Sequence, residues 1–166
     1  SQTTETENKI TLDASGNAAA GDQSTENKTA EPSTLDELFG GENLSVTYTG
    51  AEIAANYMEG GYYSLDAEQG KTFVIVGIDI TNSGADEIAI DNFAKTPKFS
   101  VMVNGQEKAE EENTILPSDF ALYQETVPAG VTENTILLFQ VPDSVTSVDS
   151  LDLFVNISGT NYQITL

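Results

Sequence analysis

The sequence predicts an all-β chain: an immunoglobulin-like antiparallel β-sandwich of about seven strands, preceded by a flexible polar tether and a short helical turn. Three observations predict it. From residue 44 onward apolar residues recur with a period of two. Gly, Asn and Pro punctuate the runs at intervals of roughly 8–20 residues. No stretch after residue 41 holds a helical period. An antiparallel barrel is the alternative closure of the same strands.

Residues 1–34 read as the tether. Eleven of them are Ser or Thr, and Ile10 and Leu12 are the only large aliphatics. Such a segment has too little apolar area to offset the roughly 1–2 kcal/mol per residue that ordering a backbone costs. If flexible, it spans about 30–35 Å. Lys9 to Asp13 carries a brief strand-like alternation. Residues 35–42 form the helical turn or linker. Thr34 and Glu37 are spaced as a capping box, Leu35, Leu38 and Phe39 share a face, and Gly40 suits a left-handed C-terminal position.

Residues 43–166 form the sandwich. Leu44, Val46 and Tyr48 alternate with Ser45, Thr47 and Thr49. In Lys71 to Asn82, Val74, Val76, Ile78 and Ile80 point one way, and Phe73 and Ile75 make the opposite face apolar too. That strand is therefore covered on both sides at one end. A short strand at Glu87 to Ile90 follows the Asn82-Ser83-Gly84 turn. Phe99, Val101 and Val103 lead into Asn104-Gly105, the strongest short hairpin signal. Leu137, Phe139 and Val141 alternate up to Pro142; Leu151, Leu153, Val155 and Ile157 follow. Tyr162, Ile164 and Leu166 end the chain in phase, which predicts a last strand pinned into a sheet.

Composition excludes several functions. The chain has 166 residues, 27 acids against six basic residues, and a net charge of -21. There is no His, Cys or Trp, and every basic residue is Lys. Imidazole triads, thiol nucleophiles, N- or S-ligated zinc, disulfides and guanidinium clamps are excluded. The charge repels nucleic acid and anionic lipid, so no nucleic-acid partner is expected. No apolar run approaches the ~20 residues that span a bilayer. A start at Ser1 without Met leads us to expect a trimmed or mature product.

The Thr81-Asn82-Ser83-Gly84 end of the long strand, then Pro128-x-Gly130, then Phe139-x-Val141-Pro142, resembles a domain-of-unknown-function family. That family is common in secreted and lipid-anchored proteins of Gram-positive bacteria. Its domains are immunoglobulin-like sandwiches, similar to the mycobacterial secreted immunoprotective antigens. The resemblance spans about residues 43–166 and carries over no catalytic residues. It implies an extracellular, cell-surface location. The membrane would be reached only through an upstream lipidated Cys, which this chain does not contain.

Two acidic groups stand out, Glu107 to Glu112 and the Asp79, Asp86, Glu87 and Asp91 set. Neither has calcium-loop spacing, and with 27 acids such runs read as solvated faces. No metal and no cofactor are expected. A glycosidase pair of carboxylates is not singled out, and no S-x-x-K motif is present, so no catalytic residues are assigned. The aromatic segment YMEGGYY supplies the contact candidates Tyr57, Tyr62 and Tyr63, with Tyr123 in a second irregular stretch. The same tyrosines also fit a flap over a sheet edge. The expected function is a non-catalytic binding or adhesion module whose partner is a protein or a cell-wall glycan. The alternative is a structural or accessory protein that mediates assembly.

Overall fold

The computed structural model describes residues 30–166, and the body of the fold is Glu31–Leu166. The expected tether and the Lys9 to Asp13 alternation lie outside the described residues, apart from the tether's end. There the boundary moves. Glu31–Ser33 forms β1, pairing parallel to the last strand from Tyr162↔Glu31 to Ile164↔Ser33. The polar stretch therefore does not run to residue 34 as expected.

Helix α1 is Leu35–Phe39. Its capping box is formed: Thr34 Oγ1 accepts from Glu37 N at 3.0 Å, and Glu37 Oε1 accepts from Thr34 N at 3.0 Å. Gly40 is not left-handed; its φ is -93°. Glycine is needed there for space, because a Cβ would meet the carbonyls of Asp36 at 2.8 Å and Leu44 at 2.9 Å. The Asp36 carboxylate accepts from Val46 N at 2.6 Å and ties the helix to the next strand.

The remaining strands are β2 (Leu44–Ala54), β3 (Asn56–Glu59), β4 (Tyr63–Asp66), β5 (Lys71–Asn82), β6 (Ile88–Asp91), β7 (Lys98–Val103), β8 (Glu107–Glu110), β9 (Gln124–Val127), β10 (Thr132–Pro142), β11 (Leu151–Ile157) and β12 (Thr160–Ile164). One sheet has the order β10-β5-β2 and the other β1-β12-β11-β7-β8. In chain order, β2, β5 and β10 take the places of strands A, B and E of an immunoglobulin sandwich. Strands β7, β11 and β12 take those of C, F and G, with β8 added beside C. Strand β9 stands where D belongs but pairs with β6, from Gln124↔Asp91 to Val127↔Ile88.

Alternation places the core. Val74, Val76, Ile78, Leu137 and Phe139 from one sheet and Val101, Val103, Leu153 and Val155 from the other are buried in a single cluster. Phe39, Phe99 and Phe120 close one end, with ring centroids 4.9–5.9 Å apart. Ile164 is buried as expected, but the terminal Leu166 is 44% exposed because β12 ends two residues earlier. A second cluster, Phe73, Ile75, Leu116 and Leu138, covers the outer face of the first sheet.

The motif residues Asn82 to Gly84 have structural work. Asn82 is fully buried. Its Nδ2 donates to the carbonyls of Asp86 at 2.8 Å and Val127 at 3.0 Å, and its Oδ1 accepts from Gly84 N at 2.9 Å. Its backbone bonds Val131 and Gly130, so one residue stitches the β5–β6 and β9–β10 turns together. Asn104 does the same elsewhere. At φ 55° it turns β7 into β8, and its side chain bonds Ser147, Asp149 and Ser150.

Candidate functional site

The segment YMEGGYY, which reads as irregular in the sequence, is a two-stranded hairpin. Strand β3 pairs with β4 from Asn56↔Asp66 to Glu59↔Tyr63. Gly60 and Gly61 turn it at φ 60° and 76°, a conformation that glycine adopts without strain. Pairing gives the hairpin two faces. Tyr57, Tyr63 and Leu65 pack onto the second apolar cluster, while Met58 on the other face is 65% exposed and Tyr62 at the tip is 92% exposed.

A hydrogen-bond network fixes the hairpin to the segment that precedes β9. Tyr57 donates its hydroxyl to Glu59 Oε1 at 3.0 Å. Ser118 Oγ donates to the same carboxylate, and Ser118 N donates to its other oxygen at 3.3 Å. Burial raises the Tyr57 hydroxyl pKa; the Ser118 hydrogen bond works against this and Glu59 adds to it.

Of the four expected contact residues, the structure brings Tyr57, Tyr62 and Tyr63 together and offers one of them outward. Tyr62 is free, whereas Tyr57 and Tyr63 are the flap. Tyr123 is not a loop contact of the kind expected. A 3₁₀ turn at Phe120–Leu122 swings it inward, its ring joins the core, and only 7% of the residue is exposed. It still lines a concavity of about 280 Å³ beside the turn end of the hairpin and β10, with Glu59, Ser118, Glu125, Glu133 and Asn134. Burial first, then the charges of Glu133 and Glu125, raise its pKa.

Sequence reasoning missed Glu59, Ser118, Glu125 and Glu133. The one available signal was the spacing of Tyr57 and Glu59, which shares a strand face. It also misread part of the acidic run at 107–112. Glu107–Glu110 is strand β8, and Glu111 is half-buried. Glu111 N donates to Phe99 O at 3.1 Å and Glu112 N to Leu138 O at 2.8 Å, as the chain crosses from one sheet to the other. Burial, then the neighbouring Asp119 carboxylate, pushes the Glu111 pKa up to about 9. Among the described residues no three acids gather closely enough to hold a metal ion. None of the described helices is long and apolar enough to cross a membrane.

Fold and site define an antiparallel β-sandwich that displays a braced tyrosine hairpin. No family model and no curated protein matches the chain. Solved structures similar to it include an uncharacterized β-sandwich protein from Clostridium difficile 630, with 18% identity, TM-score 0.47, and coverage of 82% of this chain and 97% of that one. A conserved hypothetical protein from Bacillus anthracis shows 11% identity and TM-score 0.41 over 75% of this chain and 89% of that one. A Bacillus subtilis protein described as a candidate lipoprotein shows 11% identity and TM-score 0.40, over 84% of this chain and 39% of that one.

Proposed function

We propose that the chain is a non-catalytic binding or adhesion module that acts outside the cell and contacts a protein or cell-wall glycan through the β3–β4 hairpin. The observation that carries this reading is Tyr62, 92% exposed at the tip of a hairpin whose other two tyrosines are seated in an apolar cluster. A tyrosine has only two side-chain torsions to lose on binding, so much of its contact area goes into affinity. The extracellular, lipid-tethered setting is supported by the polar composition of residues 1–34 and by the motif resemblance to the Gram-positive lipoprotein family.

The sheet edges favour binding over assembly. The free edge of β2 is broken by a bulge between Tyr48 and Gly50, and Asp36 caps Val46 N. The β8 edge carries Glu107, Lys108 and Glu110. These devices work against edge-to-edge pairing. The test is co-sedimentation of the full chain with purified Gram-positive cell-wall sacculi and with fixed whole cells. The parent should be retained, and Met58→Ala with Tyr62→Ala should lose retention at an unchanged melting temperature. Equal retention of parent and variant, or no retention of the parent on either material, overturns the reading.

A further inference from the structure

We infer that Asn104 is a deamidation site gated by residues 147–150, and that its conversion irreversibly unlocks this end of the five-stranded sheet. The inference goes beyond the binding reading and does not rest on it. Asn104-Gly105 is the single Asn-Gly pair in the chain. Glycine in the second place leaves the attacking amide nitrogen without a neighbouring side chain to shield it. Gly105 is exposed, and its N–H makes no hydrogen bond among the described residues. The nucleophile is therefore open to solvent and to base.

The fold holds the other partner, the side-chain amide. Asn104 Nδ2 donates to Ser147 O at 2.9 Å. Its Oδ1 accepts from Asp149 N at 2.7 Å and from Ser150 N at 3.1 Å. The main chain adds a second lock. Asn104 and Gly105 are both left-handed, at φ 55° and 70°, and Gln106 N closes the turn by donating to Val103 O at 3.0 Å. In the left-handed region the following nitrogen lies across the Cα–C bond from Cβ. Gly105 N can reach Asn104 Cγ only after the turn rotates and the three side-chain bonds break. The two N–H groups on Oδ1 thus latch the amide in place; they cannot assist an attack that their own geometry forbids.

In the opened turn, base removes the Gly105 N–H proton and the nitrogen attacks Asn104 Cγ. The N–Cγ bond forms, the Cγ–Nδ2 bond breaks, and the amide nitrogen leaves as ammonia with a proton from solvent. Water then opens the succinimide at either carbonyl, giving Asp or isoAsp at position 104. Neither product restores the latch. Asp loses the donation to Ser147 O and sets a carboxylate oxygen against that carbonyl. IsoAsp carries the main chain through Cβ, so the turn gains an atom and its two left-handed residues no longer close in register. The connection from β10 to β11 is then held chiefly by Val145 and Val148, which are only partly buried against the core.

The experiment ages the full chain at mildly alkaline pH, folded and in guanidinium chloride, beside a Val-Asn-Gly-Gln peptide acetylated and amidated at its ends. Trypsin releases Asn104 within Phe99 to Lys108, where mass spectrometry reads the change from amide to acid and chromatography separates Asp from isoAsp. The folded chain should lag the peptide by about tenfold or more, as three hydrogen bonds of ordinary strength require, and the unfolded chain should match it. Asp149→Gly keeps the latching N–H but frees the segment that presents it. It should speed the folded reaction severalfold with little change in melting temperature. Asn104→Asp, the product made directly, should melt below the parent and exchange the amide hydrogens of Asp149 and Ser150 faster. A folded chain that reacts as fast as the peptide overturns the inference, because no gate then exists. So does Asp149→Gly reacting no faster than the parent, which places the opening elsewhere. Asn104→Asp with the parent's melting temperature and exchange rates overturns it too, since conversion would then unlock nothing.

Discussion

The buried Asn82 side chain donates to the carbonyl of Val127, 45 residues along the chain, at 3.0 Å. The same side chain holds Asp86 and Gly84, so two turns at one end of the sandwich depend on a single amide. The Asn-x-Gly motif is thus a structural clip rather than a contact site. Replacing Asn82 by Ala leaves buried groups without partners, at about 1–3 kcal/mol for each group not rescued by water. We expect Asn82→Ala to lower stability by at least about 2 kcal/mol in urea unfolding. Asn82→Asp should be no better, since it loses both donations and buries a charge. A cost near zero for both would mean that the turns hold themselves.

Phe139 is fully buried on β10 opposite Val74, and the crossing segment bridges it at Glu111. Phe139→Ala should cost about 3–5 kcal/mol, the usual range for deleting a buried aromatic. Phe139→Leu should cost less, because more of the volume stays filled. Equilibrium denaturation of the two variants reads both values. A loss below ~1 kcal/mol for Ala would contradict the register of this strand.

The strands legible in the sequence are those whose alternation is apolar and uninterrupted, such as Val74 to Ile80 and Leu137 to Val141. Burial of one face fixes their register, because a slip of one residue would expose it. The short strands β3, β4, β8 and β9 were not legible, since Asn, Glu, Ser, Asp, Lys and Gln fill most of their positions and leave no apolar run. Tyr123 was misjudged because its burial comes from partners remote in sequence and from a 3₁₀ turn with no periodic signal. Glu111 sits in a run of three acids that reads as solvent-facing. Only the crossing of the chain between sheets reveals that it is half-buried. Of the site, the hairpin tyrosines could be read; the acids gathered around Tyr123 come from three separate segments and could not.

Glu111 should give the fold a specific pH dependence. Its folded pKa is raised from 4.5 to about 9 by burial and by Asp119. Asp119, itself 2% exposed, accepts from Thr114 Oγ1 at 2.6 Å and from Ala121 N at 3.0 Å. Between these two pH values the folded chain keeps a proton that the unfolded chain releases. The stabilisation is therefore complete below about pH 4.5 and is lost as pH rises towards about 9. Glu111→Gln keeps a neutral donor at every pH. Its melting temperature should gain on that of the parent steadily from pH 5 to pH 9. Parallel curves would show that Glu111 is ionised in the folded state.

The net charge of -21 makes the folded chain repel itself, and dissolved salt shortens the range of that repulsion. Moderate NaCl should therefore raise the melting temperature. Divalent cations screen more strongly, so Ca²⁺ and Mg²⁺ should each raise it further, and by similar amounts at matched ionic strength. Similar amounts follow from the placement of the acids. Glu107 and Glu110 lie along a strand, Glu111 is engaged with Asp119, and no three acids among the described residues gather at metal-binding distance. A specific site would behave differently, because a ligand bound only to the folded state adds RT ln(1 + [L]/Kd) and its effect climbs with its own concentration. Thermal melts in Ca²⁺ and Mg²⁺ series decide it. A rise of several degrees with sub-millimolar Ca²⁺, and none with Mg²⁺, would locate a calcium site that the arrangement of these carboxylates does not provide.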